Sequence, residues 1–470
     1  MDDKIVRIQY AEIRNLQNVE RGIIKMACNT KDGEYSASSD ILGIYGQNGS
    51  GKTTFINALG ILDTLLSGKR LTPDMVNYIT KEEQHADLRF DFSVTDSKAC
   101  YKVIYEARIS KRDKDEWDEN AEDYNPVVVS QEKLRFSYLQ NGEWTSLRTL
   151  IDYDMKDKKA FKPNTSLQEI TDGKSDTVNE LLVAKKLAIK QSTSFIFSSD
   201  TQKQMTNGRP NMMYKDVISS LYYFGRNNLF IISNRNTGLI TMNVALPFSY
   251  RIDKNGASAM VSVLMRLDTS TVIPVTVLNT INQVIKVMNT VLCEIIPGLQ
   301  VEISELGKQL MQDGTEGVSV EMTSLRNGRR LPLRYESEGI KKIISILHML
   351  IAMYNNPSMT LAVDELDAGI YEYLLGEILK VINETGRGQL IFTSHNLRPL
   401  ETLNKNSIIF TTTNPANRYI RLANVKTNNN LRDVYYHDLI LGGQKECIYE
   451  PTNSFAISHS FRIAGEADGK

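Results

Sequence analysis

The chain has 470 residues, 41% hydrophobic and 24% charged. That is the composition of an ordinary soluble protein with room for a large core and more than one structural unit. Lys plus Arg (55) and Asp plus Glu (56) cancel to a net −1, so no global basic excess advertises nucleic acid. No apolar run reaches the roughly 20 residues of a membrane span. The N-terminus has no signal-peptide pattern, and Cys28, Cys100, Cys293 and Cys447 lie far apart with no C-x-x-C. Structural zinc, a disulfide framework and a membrane partner are therefore not expected, and a reducing cytoplasm is the expected compartment.

The opening run "KIVRIQYAEIRNLQNVERGIIKMAC" predicts two strands. "DILGIYG" follows as a buried strand and leads into "GQNGSGKTT". Gly46, Gly51, Lys52 and Thr53 meet the pattern G-x-x-x-x-G-K-[ST] of a phosphate-binding loop. Its glycines let consecutive backbone N–H groups curl round an anion at the positive end of the next helix. Gly46, Asn48, Gly49, Ser50, Gly51, Lys52, Thr53 and Thr54 are the predicted nucleotide-binding residues. The lysine would reach the β/γ-phosphates and the Thr53 hydroxyl would hold Mg²⁺. A glycine-rich turn with an accidental lysine is the bland alternative. The context speaks against it, because "KTTFINALGILDTLL" places Phe55, Ile56, Leu59, Leu62, Leu65 and Leu66 at helical spacing.

Further on, "ADLRFDFSVT", "ACYKVIYEARI" and "KLRFSYLQNGEWTSL" alternate apolar and polar residues, the last around an Asn-Gly turn. They predict an antiparallel sheet beside the nucleotide-binding core. The polar stretches 109–127 and 153–176 read as loops, 177–192 as a helix, and 200–215, with Gly208 and Pro210, as a mobile segment. A long helix is predicted after Pro274, with Val277, Ile281, Val284, Ile285, Met288, Val291 and Leu292 on its apolar face. Strands with an Asn327-Gly328 turn come next.

A P-loop needs carboxylates at the tip of a second buried strand before it can hydrolyse anything. "MTLAVDELD" supplies Asp364, suited to the Mg²⁺ shell, and Glu365, suited to a general base that orients water. "LIFTSHN" is a further buried strand ending at His395, which follows Asp364 by 31 residues. That is room for one crossover helix. Upstream, "RYESEGIKKIISILHMLIAMY" puts Ser337 and Gly339 at a helix N-terminus, where a hydroxyl and free N–H groups can receive phosphate. Taken singly, a surface acid pair, a strand-end histidine and an N-cap serine are each commonplace. Their order (P-loop, Ser-x-Gly helix, Asp-Glu strand, His strand) is not.

That order resembles the ABC-type ATPase head of the RecF/SMC/OLD group, and most closely its short OLD-like members found in bacterial anti-phage and abortive-infection operons. "GQNGSGKTT", "YESEGIKKI", "LAVDELDAGI" and "LIFTSHN" carry the likeness, with "IQYAEIRNLQNVE" as its first strand pair. It covers roughly 1–100 and 300–415. The resemblance implies an α/β ABC-type P-loop ATPase head, with a mixed or parallel core sheet, a flanking antiparallel sheet and a helical subdomain inserted between P-loop and signature. The corresponding divisions are 1–150, an inserted mainly helical 151–300, 301–415, and a C-terminal extension 416–470.

By the same resemblance ATP and Mg²⁺ are the cofactors, with Thr53 and Asp364 at the metal. Glu365 is the catalytic base and His395 the switch histidine. Ser337 and Gly339 form the signature that completes the site of a second copy, in a head-to-head dimer or larger homo-oligomer, with Asp367 in the loop crossing that interface. An effector protein from a neighbouring gene is the expected further partner, with a phage-derived molecule as trigger. There are departures. "DAGIYEY" lacks the usual Ser-x-Leu-His-Pro, and the glutamine-loop residue is unplaced between Gln84 and Gln202. No hook, long coiled coil or TOPRIM-like acidic cluster is present. The signature is "SEG", unlike a transporter subunit. The runs "KRDK" (111–114) and "RNGRR" (326–330) keep a DNA-clamping ATPase of the RecF/SMC type as the alternative.

Overall fold

The computed structural model describes residues 4–26, 39–96, 99–113, 124–171, 173–207, 212–254, 257–311, 314–423 and 430–467. The chain opens with β1 (Ile5–Leu16), β2 (Val19–Lys25) and β3 (Asp40–Tyr45), then α1 (Lys52–Leu66). β4 (His85–Thr95), β5 (Cys100–Lys111), β6 (Val127–Gln140), β7 (Glu143–Trp144) and β8 (Arg148–Asp154) follow. Next come α2 (Asn164–Thr171), α3 (Ser175–Gln191), α4 (Ser199–Asn207), α5 (Met212–Asn227), β9 (Leu229–Ile232) and α6 (Asn234–Thr241). β10 (Ala245–Lys254), β11 (Ala257–Arg266), β12 (Thr271–Pro274), α7 (Val275–Ile295), β13 (Leu299–Leu310), β14 (Glu316–Arg326) and β15 (Arg329–Pro332) lead to α8 (Glu338–Asn355). The chain closes with β16 (Thr360–Val363), α9 (Glu372–Thr385), β17 (Gln389–Thr393), α10 (Pro399–Thr402), β18 (Ile408–Thr411), β19 (Tyr419–Ile420), α11 (Leu431–Leu441) and α12 (Ser454–Ala467).

Two sheets enclose α1. The core sheet runs β19-β18-β3-β17-β16-β9 and is parallel except for β19. Its central strands are buried on both faces, which explains why β3, β16 and β17 are continuous apolar runs. The second sheet runs β2-β1-β4-β5-β6-β7, with β8 also on β6. β4 alternates strictly between buried and half-buried residues, as a one-faced sheet must. The apolar face predicted for α1 is buried at Phe55, Ile56, Leu59, Leu62, Leu65 and Leu66, and the helix packs into the core shared with the antiparallel sheet. α7, α8 and α9 form a second core on the other side of the parallel sheet.

A buried amide joins the layers. Gln389, on β17, donates to the Ile8 carbonyl (2.8 Å) and to Asp40 (3.0 Å). It accepts from the Ile8 N–H (3.0 Å) and from Thr360 (2.9 Å). One side chain thereby ties β1 to three strands of the core sheet, with its donors and acceptor all used.

The predicted strands and long helices stand where the patterns put them, with several differences. Residues 151–300, expected to be mainly helical, also hold β8, β9, β10, β11 and β12, and β9 joins the core sheet beside β16. The four residues "LFII" are too short to distinguish strand from helix by period. Part of the expected loop 153–176 is α2, which inserts Leu167 and Ile170 into the core. α4 and α5 occupy most of 200–215, while Gly208 and Pro210 lie outside the described residues.

Glu132, on β6, is buried. It accepts from Tyr105 and Ser194 (each 2.6 Å) and from the N–H groups of Phe195 (2.6 Å) and Ile196 (3.3 Å). It thus pins the 194–197 turn to the sheet. Glu132→Ala leaves these donors unpaired in the interior. We expect a loss of about 3 kcal/mol, read as a lower denaturant midpoint, and an unchanged midpoint would refute the role.

Candidate nucleotide-binding site

Parallel register fixes the site. Asp40 pairs with Gln389, Gln389 with Thr360, and Thr360 with Leu229. The carboxyl ends of β3, β17, β16 and β9 therefore emerge at one edge, where open α/β sheets bind ligands. The P-loop, His395, Asp364-Glu365 and Ser233 lie on successive connections at that edge. Sequence spacing could give the separations but not this strand order.

The P-loop's turns need glycine at Gly46 and Gly51, with φ of +150° and +95°. A Cβ on Gly46 would also lie 1.8 Å from the Thr411 hydroxyl. Lys52 is buried in the bowl and donates to the carbonyls of Gly46 and Gln47, both at 2.9 Å. Burial lowers its pKa, and the carboxylates of Asp364, Glu365 and Asp367 oppose that fall. Ser50 donates to Gln47 (2.6 Å) and accepts from Thr411 (2.5 Å), so Ser50 and Thr54 are buried parts of the loop's frame, while Asn48, Gly49 and Thr53 are exposed. Thr53 donates to Asp364 at 3.3 Å.

Asp364 is wholly buried. Its Oδ1 accepts from Thr393 (2.6 Å), and the Thr393 hydroxyl in turn accepts from the Glu365 N–H (2.7 Å). Its Oδ2 is buried without a hydrogen-bond donor. A bare carboxylate oxygen beside a threonine hydroxyl fits a hard divalent cation that takes its other ligands from phosphate and water. Among the described residues no cluster of three His, Cys, Asp or Glu side chains would chelate a metal alone. Glu365 sits at φ +48°, a left-handed conformation that costs a non-glycine residue about 1–2 kcal/mol. The Thr393 bond to its backbone N–H holds it there.

His395 is exposed, yet its pKa is lowered, first by partial desolvation and then by Lys52, against the pull of Asp367, Glu365 and Asp364. The imidazole is therefore neutral at neutral pH and free to hydrogen-bond. The backbone N–H groups of His395 and Asn396 both donate to Asp367 Oδ2, at 3.0 and 2.9 Å. One oxygen of Asp367 thus fixes the histidine of its own chain.

Ser337 is the N-cap of α8. Its hydroxyl accepts from the Ile340 N–H at 3.3 Å, and the residue is exposed. Gly339 packs on the loop after Glu365 so closely that a Cβ would lie 2.0 Å from the Gly369 carbonyl. Ser337 is thus exposed at the start of the helix, while Gly339 is buried against the acidic loop of its own chain. Gln202 donates to the Ile196 carbonyl, in the turn that packs on Gly68 beyond the far end of α1 from the P-loop. Gln84 immediately precedes β4, at the same end of the antiparallel sheet as the β1–β2 turn.

Several residues had no pattern to announce them. Asn18, in the β1–β2 turn, donates to the Gly49 carbonyl and accepts from Thr54 (3.1 Å). Tyr419 donates to the Gly51 carbonyl (2.7 Å), and Arg418 to the Asn18 carbonyl (2.6 Å). Lys342, buried on α8, donates to Thr237 (2.6 Å). Its pKa is pushed down to about 8 by burial, against the raising influence of Asp364, Glu365 and Asp367.

Together these features define an α/β P-loop ATPase fold of the ABC type, with P-loop, acidic strand tip and His395 converging on one edge of the core sheet. The chain belongs to the family described as AAA domain, putative AbiEii toxin, Type IV TA system, whose model matches residues 41–400. No curated protein matches the sequence. Among solved structures, an Smc head domain from Pyrococcus furiosus, bound to the C-terminal domain of ScpA, is 11% identical. It covers 89% of this chain and 96% of its own, with a TM-score of 0.36. The SMC head domain of Thermotoga maritima is 12% identical over 88% of this chain and 99% of its own (TM-score 0.36). The recombination mediator RecF is 12% identical over 84% and 95% (TM-score 0.34). Likenesses this loose carry no weight for mechanism.

Lys342 makes stability depend on pH. Between the folded value near 8 and the ordinary lysine value of 10.5, the unfolded chain binds more protons, so stability rises with pH through that window. The destabilisation is greatest below it. We expect Lys342→Met to flatten the rise, seen as a difference in denaturant midpoint between wild type and variant at pH 7 that changes by pH 9.5. A difference independent of pH would refute it.

Proposed function

We propose that the chain is a Mg²⁺-dependent ATPase that works as a head-to-head pair and acts as a sensor controlling a separate effector in anti-phage defence. The observation that carries the enzymatic part is the Thr53–Asp364–Thr393–Glu365 chain of hydrogen bonds. Beside it, Lys52 and the loop amides would bind the β/γ-phosphates, and Thr53 and Asp364 would hold the metal. Mg²⁺, when bound, supplies charge neutralisation at the transferred phosphoryl group. Glu365 orients the attacking water and His395 faces the γ-phosphate.

Ser337 supports the paired arrangement. Its helix N-terminus suits a phosphate, and the residue is exposed. ATP shared between two chains would make contacts on both sides that hydrolysis partly removes, which turns nucleotide state into dimer shape. The family's description, with its putative AbiEii toxin and Type IV TA system, supports the defence setting, and the resemblance to OLD-like ATPases makes the ATPase subunit of the PARIS system a candidate relative. A nuclease or other toxin encoded beside this chain would support it, and a replication operon would count against it. A DNA-clamping role is the second function considered. Arg112, inside the run 111–114, is buried against the Ser192 hydroxyl (2.9 Å), so that arginine's charge is turned inward. Salt-dependent DNA binding by the purified protein would favour the clamp.

Glu365→Gln should keep ATP affinity, lose at least 100-fold in turnover, and accumulate as a dimer in sedimentation; wild-type turnover would end the base assignment. Ser337→Arg should bind ATP as a monomer yet not hydrolyse it, whereas Lys52→Ala should fail to bind. Mixing the two variants should restore at most one composite site per pair. Full activity of the Ser337 variant alone would show that each chain hydrolyses ATP unaided.

A further inference from the structure

Arg418 stands in the turn between β18 and β19, and its backbone is fixed on both sides. The N–H donates to the Arg21 carbonyl (3.1 Å), and the carbonyl accepts from the Thr412 N–H (2.9 Å). The side chain packs against the P-loop, so that a Cβ on Gly51 would lie 3.4 Å from the arginine Cγ. The guanidinium donates to the carbonyls of Thr412 and Asn18, each at 2.6 Å. Asn18 is the residue that donates to Gly49 and accepts from Thr54. Arg418 is thus built into the frame of the loop, although it comes from the far end of the chain.

Its charge has no partner there. The residue is only 7% exposed. Both acceptors of the guanidinium are neutral carbonyls, and its Nε is buried without an acceptor. Among the described residues no carboxylate forms an ion pair with it. Burial lowers its pKa, against the raising influence of Tyr419 and the exposed Glu20, yet a guanidinium keeps its proton throughout the working range of pH. A buried cation with only carbonyls for company is costly, and a buried donor left over calls for a reason. Bracing the loop is not that reason, because the neighbouring Tyr419 holds the Gly51 carbonyl with a neutral hydroxyl (2.7 Å).

Resting on the nucleotide-binding reading of the P-loop, we propose that Arg418 is a positioning residue for the polyphosphate, a fixed positive charge set into the loop's frame beside Gly51. The nucleotide's own phosphates are its counter-charge. Contact is not needed, since the attraction between charges falls only with the first power of distance and is weakly screened where water is excluded. The cation is desolvated before the ligand arrives, so it acts as part of a preorganised field. That field favours the ligand with more phosphate charge, a triphosphate over a diphosphate.

The test is calorimetric titration of full-length wild type, Arg418→Gln and Arg418→Lys with ATP and with ADP, each with Mg²⁺. Glutamine keeps a donor and removes the charge, while lysine keeps the charge and gives up the fork. The glutamine variant should lose about tenfold or more in ATP affinity and distinctly less in ADP affinity, with lysine staying within about threefold of wild type for both. Wild-type ATP affinity in the glutamine variant would overturn the proposal. So would equal losses for ATP and ADP, or equal losses in the two variants, because the arginine would then only shape the loop. Loss of the fold in both variants, seen by circular dichroism, would show that the charge is kept for structure and would overturn it too. Wild type that binds neither nucleotide would end the nucleotide-binding reading, and this proposal with it.

Discussion

The site hangs on one hydroxyl. Thr393 donates to Asp364 and accepts from the Glu365 backbone, so a single side chain on β17 holds both the buried Asp364 carboxylate and the turn at Glu365. It can do this because β17 lies between β3 and β16 in the core sheet. The strand that leads into His395 is thus wedged between the strands that carry the P-loop and the acids. Movement of any of the three is felt by the other two, which is what a nucleotide-dependent switch requires.

The P-loop is held from outside as well as from its own strand. Asn18 reaches it from the antiparallel sheet, and Thr411, Arg418 and Tyr419 from β18 and beyond. Gln389 bolts β1 to the core sheet deeper in the molecule. Loop amides that point at phosphate must be positioned before ligand arrives if they are to act as preorganised donors. The antiparallel sheet is therefore part of the binding site's frame.

Charge is balanced within the chain. Lys52 and the buried Lys342 both stand in the field of Asp364, Glu365 and Asp367. Lys342 belongs to α8, whose first turn bears Ser337, so the helix that presents the signature also carries a cation for its own acidic cluster. A divalent cation arriving at Asp364 changes the field at Lys342, and with it the electrostatic hold on α8. This links the two ends of the proposed composite site through one helix.

The sequence by itself determined the loop chemistry, the carboxylate pair, the histidine, the N-capped Ser337 helix and the apolar face of α1, because each is a local pattern whose meaning depends on neighbours three to seven residues away. Only the tertiary structure decided that β9 belongs to the core sheet, that Asn18 grips Gly49, that Asp367 holds the His395 backbone, and that Lys342 faces the acids. Those contacts join residues as many as 131 positions apart. No local period encodes them, since strand order and packing alone bring their side chains within hydrogen-bonding reach.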